Sequence, residues 1–126
     1  KRNTLMKDSG LKLRIAAIAG LLGVGLGAFG AHALKEHLED GGYMETWQTA
    51  VLYHLIHAVV ILVLALVSLP RLWVAYWFIL GGIVIFCGSL YLLAIGRIPA
   101  LGAITPIGGI ALLAGWALIF IKSREE

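Results

Sequence analysis

Residues 51–69 read VLYHLIHAVVILVLALVSL, and this stretch decides the fold. A helix over it is about 28 Å long at 1.5 Å per residue, close to the roughly 30 Å hydrocarbon thickness of a bilayer. The stretch therefore predicts a membrane-spanning helix. Its first third carries Tyr53, His54 and His57, and ionisable groups inside a span usually face a bundle interior or a watery cavity. We expect any function to lie near them.

The composition of the whole chain is typical of an integral membrane protein. Of 126 residues, 60% are hydrophobic and 13% are charged, whereas charged residues make up about 25% of a globular domain. The net charge of +3 does not indicate nucleic-acid binding, because the basic residues lie beside apolar runs rather than in a patch with aromatic residues. The only cysteine, Cys87, offers no disulfide framework within the chain. We expect the lipid bilayer as a partner and no nucleic acid.

The apolar runs predict an all-α fold, a single-domain integral membrane four-helix bundle over residues 1–126. The four spans are expected at residues 13–33, 51–69, 72–95 and 100–121. Residues 34–48 form the only sizeable polar segment and are expected to be an outer loop.

The segments between and before the spans carry their own signals. Helix one is expected to continue past the membrane until Gly41-Gly42 stops it, in a conformation of positive φ. Pro106 is expected to kink span four near its start. Residues 1–14 are polar and basic and are expected to fray or to lie at the interface, with Met6 a candidate native start. We expect the first apolar run to remain as a span rather than to be cleaved as a signal peptide.

The distribution of basic residues predicts the orientation. One face of the membrane receives only Lys35 and Arg97. The positive-inside rule therefore places both termini in the cytoplasm, N-in/C-in, in a cell inner membrane. The other eight basic residues lie on that cytoplasmic face: Lys1, Arg2, Lys7, Lys12, Arg14, Arg71, Lys122 and Arg124.

Small residues indicate where helices pack closely. Ala16, Gly20, Gly23, Gly27 and Gly30 follow a 4-3-4-3 spacing and share one helix face, so span one is expected to be the most enclosed helix. The same run contains a GxGxxG pattern at Gly25, but without a preceding strand it does not indicate nucleotide binding. Further packing glycines are expected on spans three and four, at Gly81, Gly88, Gly108 and Gly115.

The polar side chains of the spans all fall in the outer half of the bilayer, which predicts a polar pocket there. One interpretation is hydrogen bonding between helices; the other is a site for a metal ion, a haem edge, a quinone head group or a proton. We expect His57 to be the more enclosed histidine and His54 to border a neighbouring subunit or the cavity mouth. The candidate pocket residues are His32, Gln48, Thr49, Tyr53, His54, His57, Ser89, Tyr91 and Thr105.

The sequence does not indicate an enzyme. No nucleophile elbow, HExxH, Walker motif or carboxylate pair is present, and Ser89 with His54 or His57 is the only candidate nucleophile pair. A metal site needs three or four ligands, and Cys87 is not at ligand spacing from a histidine. His32 and His37 adjoin a charged segment and are expected to be solvated. We predict no catalytic residues, no metal and no cofactor.

Four motifs in order resemble the YgdD/YwdK-type family of small membrane proteins. They are GAFGAH at residues 27–32, Trp47-Gln-Thr49 followed by Tyr53 and His57, Gly88-Ser-Leu-Tyr91, and Thr105-Pro-Ile-Gly-Gly109 with Ala114-Gly-Trp116. The resemblance implies a four-helix protein of the bacterial inner membrane with an unassigned biochemical function. It supplies no catalytic residues.

Three functional hypotheses remain open on the sequence. The first is a non-enzymatic binding or scaffold protein, either a homo-oligomer or a small subunit of a larger membrane complex. The second is a metal-, haem- or quinone-binding redox subunit that uses the intramembrane histidines. The third is a minimal transporter or proton path, which the absence of a carboxylate within a span disfavours.

Overall fold

The structure is a computed structural model that describes the backbone of residues 2–124 and the side chains of residues 6–124. Lys1, which entered the charge count, lies outside the described residues. Within residues 2–124 the chain is helical and contains no strand. The α-helices are α1 (Arg2–Ala31), α2 (Lys35–Gly41), α3 (Met44–Val67), α4 (Trp73–Gly82), α5 (Gly88–Gly96) and α6 (Thr105–Lys122).

Within residues 2–124, four helical segments are long and apolar enough to cross a membrane. This confirms the predicted all-α, four-helix membrane fold. The third segment is a composite: a 3₁₀ turn at Pro70–Leu72, then α4, a π-helical turn at Ile83–Cys87, and α5. A second 3₁₀ turn, Pro99–Ala103, leads into α6. The four segments are Met6–Ala31, Met44–Val67, Pro70–Gly96 and Pro99–Lys122.

Hydrogen bonds at one end of the bundle show that the spans alternate in direction. The Ser9 and Ser68 hydroxyls lie 2.7 Å apart, which joins the start of α1 to the end of α3. Arg71 Nε donates to the Lys122 carbonyl at 3.1 Å, so the end of α6 lies there too. We call this the terminal end. At the opposite end, the α2 end, His37 Nε2 donates to the carbonyl of Ile95 at 2.7 Å.

The core lies along α3 and the third span, which corrects the prediction that span one is the most enclosed helix. Within an apolar stretch of 18 residues in each span, 22% of the residues are buried in α1, against 39% in α3 and 39% in the third span. The physical reason is that α1 packs mainly along one helix, α3. Its small residues make a face for that neighbour, while Leu21 and Val24 on other faces are exposed.

The packing glycines divide into those that meet a neighbouring helix and those that meet open space. A Cβ on Gly23 would lie 2.7 Å from a methyl of Leu55, and one on Gly115 would lie 2.5 Å from a methyl of Ile79. Gly27 faces Val51 in the same way, Gly30 faces the indole of Trp47, and Gly108 faces the backbone of Phe86. The packing role predicted for Gly20, Gly81 and Gly88 needs correction, because nothing lies within 4 Å of a Cβ placed there.

The connections also differ from expectation. Helix one ends at Ala31, and α2 is a separate short helix, because the chain turns between them. Gly42 at the end of α2 has φ of 79°, which confirms the predicted positive-φ stop. Pro106 lies in the first turn of α6, directly after the 3₁₀ turn, where its missing N–H removes no hydrogen bond from within α6.

The N-terminal segment is more ordered than predicted. Helix α1 already begins at Arg2, and the Lys12 side chain is only 5% exposed. The Lys12 ammonium lies 3.7 Å from the ring centroid of Trp73, a cation–π contact. The Tyr76 hydroxyl donates to the Lys12 carbonyl at 2.6 Å. These contacts fix the start of α1 to α4.

Candidate functional site

His54 ties three spans together. Its Nε2 lies 2.8 Å from the Ala19 carbonyl of α1, and its Nδ1 lies 2.8 Å from the Tyr91 hydroxyl of α5. A carbonyl can only accept, so Nε2 carries the proton, and in the neutral ring Nδ1 accepts from Tyr91. The side chain is 5% exposed. His54 is therefore almost fully buried with both of its nitrogens occupied, and it lines a cavity of about 330 Å³ between α1 and the third span.

His57 is also buried, and its partners differ from those expected. Its Nδ1 donates to the Tyr53 carbonyl one turn earlier at 2.7 Å, and its Nε2 accepts from the Trp116 indole N–H at 3.1 Å. The His57 ring meets the Trp116 ring at 74° and lies parallel to the Tyr53 ring within 12°. This histidine thus joins α3 to α6. In this arrangement neither histidine has a free nitrogen for a metal.

A third polar tie joins the third and fourth spans. The Ser89 hydroxyl donates to the Phe86 carbonyl at 3.0 Å, so the Thr105 hydroxyl must donate to Ser89 across their 2.6 Å separation. Gly108, one turn into α6, lies directly against the Phe86 backbone. The hydroxyl pair and this close approach hold the start of α6 on the π-helical turn.

The predicted polar residues do not form one pocket. They form three separate sets of hydrogen bonds: His54 with Tyr91, His57 with its own helix and with α6, and Ser89 with Thr105. His32 and Gln48 are exposed near the α2 end, and Thr49 is half-buried. The prediction of one shared pocket is therefore wrong. It assumed that residues at equal depth meet, but equal depth does not place side chains on facing helix surfaces.

A cavity of about 440 Å³ lies between α3, the third span and α6. We call it the lateral cavity. His57 lies at its wall, and its rim residues Ile110 and Leu113 are 67% and 70% exposed, so it opens sideways toward lipid. Its aromatic lining comes from Tyr53, Phe86 and Trp116.

Tyr53 is the unpaired polar group of the lateral cavity. Its ring centroid lies 4.8 Å from that of Phe86, and the side chain is 40% exposed. Within residues 6–124 its hydroxyl makes no hydrogen bond, whereas the Trp116 indole is occupied by His57. The cavity therefore presents three aromatic rings and one free phenolic donor.

The π-helical turn Ile83–Cys87 supplies one wall of this cavity. π-turns are rare and occur often at functional sites. The turn carries Phe86 into contact with Tyr53, and Gly108 lets α6 lie on its backbone. The cavity thus forms where an irregular helix meets a glycine-rich helix start.

Sequence reasoning missed two contributors to the site, Trp116 and Phe86. The sequence could have pointed to Trp116, because an indole N–H within a membrane span needs a hydrogen-bond acceptor. Phe86 carried no signal, since its place depends on the π-helical turn. Among residues 2–124, no group of three or more His, Cys, Asp or Glu side chains is arranged to hold a metal ion.

At the α2 end, a clasp fixes α2 against the turn after α5. Arg97 donates to the His37 carbonyl at 3.0 Å, and His37 donates to Ile95. Arg97 adopts a φ of 54°, a left-handed conformation uncommon outside glycine. Leu38, the next residue of α2 after His37, is fully buried. His37 was expected to be solvated; it is exposed but hydrogen-bonded.

Comparisons with known proteins place the chain among small membrane proteins. The family described as "Protein of unknown function (DUF423)" matches residues 26–109. UPF0382 membrane protein YwdK of Bacillus subtilis is 43% identical over 86% of this chain and 92% of its own length. A UPF0382 membrane protein of Staphylococcus epidermidis is 42% identical over 88% and 93%. UPF0382 inner membrane protein YgdD of Escherichia coli is 41% identical over 86% and 86%. No solved structure matches the chain.

Proposed function

This chain belongs to the DUF423 family of membrane proteins, which has no described function, and from its geometry we propose a non-enzymatic membrane binding protein. Its ligand is a planar, ring-bearing molecule of the bilayer that enters the lateral cavity from the side. An isoprenoid quinone has this chemistry: an apolar tail, a flat ring and carbonyl acceptors.

The observation that carries the proposal is the free Tyr53 hydroxyl beside an aromatic wall. Within residues 6–124 the Tyr53 hydroxyl has no hydrogen-bond partner, so a ligand that offers an acceptor gains about 0.5–1.5 kcal/mol from a new hydrogen bond there. Aromatic rings pack well against another flat ring. Phe86, at 4.8 Å from Tyr53, and Trp116 provide those surfaces.

The histidines support binding and scaffolding rather than metal or haem ligation. A metal ligand needs a free imidazole nitrogen, and those of His54 and His57 are all engaged in hydrogen bonds. Ligation by His57 would break its bond with Trp116 and separate α3 from α6. In the proposed role both histidines hold the walls of the cavity in place.

The test is a fluorescence titration of the purified protein with decylubiquinone, because quinones quench nearby indoles. We expect saturable quenching that is mostly lost in Trp116→Phe. The matched control, Trp77→Phe, removes an exposed indole outside the lateral cavity and should leave the quenching intact. Tyr53→Phe should weaken binding roughly threefold to tenfold, the effect of one hydrogen bond. Quenching that does not saturate, or that both tryptophan variants reduce equally, would contradict the proposal.

The proposed orientation has both termini in the cytoplasm. The start of α1 and the end of α6 lie at the terminal end, together with the basic residues Lys7, Arg71 and Arg124, whereas the α2 end holds Lys35 and Arg97. The positive-inside rule assigns the basic end to the cytoplasm.

Cysteine labelling tests this orientation. In a Cys87→Ala background, Asn3→Cys and Arg124→Cys should resist an impermeant maleimide added to intact cells, while Glu36→Cys on exposed α2 should react. Labelling of either terminal cysteine in intact cells would overturn the assignment.

A further inference from the structure

A second cavity, of about 510 Å³, lies at the α2 end between α1, α2 and the first turns of α3. We call it the interfacial groove. Its deep part is apolar and is formed by Gly27, Val51 and Leu55, while its mouth carries Lys35, Glu39 and Gln48. It shares no lining residue with the lateral cavity.

The walls of the interfacial groove are held in place by specific contacts. The Trp47 indole donates to the Leu26 carbonyl at 2.9 Å, and only a glycine at position 30 lets the indole come so close. The clasp between Arg97 and His37 fixes α2. The groove is therefore a built feature of the fold and not a gap beside a loose loop.

Two opposite charges stand at the mouth without neutralising each other. Lys35 and Glu39 are exposed and lie four residues apart on α2, yet within residues 6–124 neither forms an ion pair. Glu45 adds a second carboxylate to a shallow depression that also includes Glu39 and Gln48. The mouth thus offers one cation beside an acidic edge.

The depth of the interfacial groove matches the boundary between head groups and hydrocarbon. From Gln48 to Leu55 its lining runs along about 10 Å of α3, at 1.5 Å per residue. Gln48 is exposed and polar, and the apolar run of α3 begins at Ala50, two residues later. Charged groups therefore lie at the level of lipid head groups and apolar groups at the level of acyl chains.

From this arrangement we propose that the interfacial groove binds a phospholipid with a zwitterionic ethanolamine head group. Its phosphate contacts Lys35, its ammonium contacts Glu39 and approaches Glu45, and one acyl chain lies against Val51 and Leu55. Phosphatidylglycerol offers the same phosphate and chains but no ammonium for the acidic edge. The inference is independent of the quinone proposal, since the two cavities are lined by different residues.

The experiment is native mass spectrometry of the protein in micelles that contain equal amounts of phosphatidylethanolamine and phosphatidylglycerol with identical acyl chains. We expect bound phosphatidylethanolamine to exceed phosphatidylglycerol about fivefold, the selectivity of one partly exposed ion pair. Glu39→Gln should bring this ratio close to one. Lys35→Gln should reduce both lipids to a similar extent, because both carry the phosphate.

Glu36→Gln is the matched control, since it makes the same charge change on the same exposed helix but does not line the interfacial groove. It should keep the parental ratio. Equal retention of the two lipids by the parent protein, or an equal loss of selectivity in Glu36→Gln and Glu39→Gln, would overturn the proposal. All three substituted positions are exposed, and unchanged melting temperatures would show that each variant is folded.

Discussion

Replacing His54 by phenylalanine removes the two hydrogen bonds that tie α3 to α1 and to α5. The ring size is nearly kept, so the change tests polar contacts rather than packing. After the substitution, the Ala19 carbonyl still belongs to the hydrogen-bond ladder of α1. The Tyr91 hydroxyl, however, is left buried without its partner.

The magnitude follows from measured interhelical hydrogen bonds in membranes, which average about 0.6 kcal/mol and reach about 1.7 kcal/mol. Two lost bonds give roughly 1.2 kcal/mol, and the orphaned hydroxyl of Tyr91 raises the expected destabilisation to about 2 kcal/mol. Tyr91→Phe removes a single bond and should cost about 0.6 kcal/mol. The double variant should be destabilised by only about 1.2 kcal/mol, less than His54→Phe alone, because the shared bond is lost once and no hydroxyl is left without a partner.

The assay is reversible unfolding in mixed detergent micelles, followed by far-UV circular dichroism, for the parent, both single variants and the double variant. Tyr53→Phe is the matched control on the same helix, since its hydroxyl makes no hydrogen bond within residues 6–124, and it should change the free energy of unfolding by less than about 0.3 kcal/mol. A stability of His54→Phe equal to that of the parent would refute the structural role of the histidine. Strictly additive effects would refute the bond to Tyr91.

Three further outcomes can be measured. Gly30→Leu should destabilise the bundle by about 1–3 kcal/mol, because the new side chain collides with the Trp47 indole. Gly20→Leu, whose side chain meets open space, should change thermal stability little, and equal melting temperatures of the two variants would contradict the assigned packing. Arg97→Ala should speed amide hydrogen exchange in α2 at least about fivefold by releasing the clasp on His37, and unchanged exchange would show that the clasp is dispensable. Lys12→Met should lower stability by about 0.5–2 kcal/mol through loss of the cation–π contact with Trp73, while Lys7→Met, at an exposed position, serves as the control and should have no effect.

The number and character of the spans could be predicted because they depend on composition and length. Runs such as residues 51–69 are long enough to cross a bilayer, and no other fold accommodates four of them in so short a chain. The ends of the helices could not be predicted as well. Helix α3 begins at Met44, because a helix continues through polar residues outside the hydrocarbon as readily as through apolar ones within it.

The partners of the histidines depended on features that a linear sequence does not carry. Their spacing along α3 followed from the rise per residue, but His54 meets Ala19 and His57 meets Trp116 only because of how each helix is rotated against its neighbour. His54 binds a backbone carbonyl, and every residue has one. Nothing in the residue type at position 19 could mark it as a partner.

For the glycines, the sequence spacing predicted a packing face but not which of them meet a neighbouring helix. The spacing of Gly23, Gly27 and Gly30 identified a face, and bulky residues of α3 do lie against it. Gly20 has the same spacing but no bulky residue opposite. Gly82, which was not singled out, packs against Leu112, where a Cβ would lie 2.5 Å from a methyl group. Close approach depends on the neighbour as much as on the glycine.

The π-helical turn at Ile83–Cys87 has a consequence for every residue that follows it in the third span. A π turn amounts to one extra residue in an otherwise regular helix. If the turn tightened to regular α-helical geometry with all its residues retained, that extra residue would rotate α5 by about 100° about its own axis and shift it by about 1.5 Å along the axis. Tyr91 would then swing away from His54, and Ser89 away from Thr105, in the same movement. The wide turn, by absorbing one extra residue, therefore preserves the angular registration of two hydrogen bonds made to two different helices.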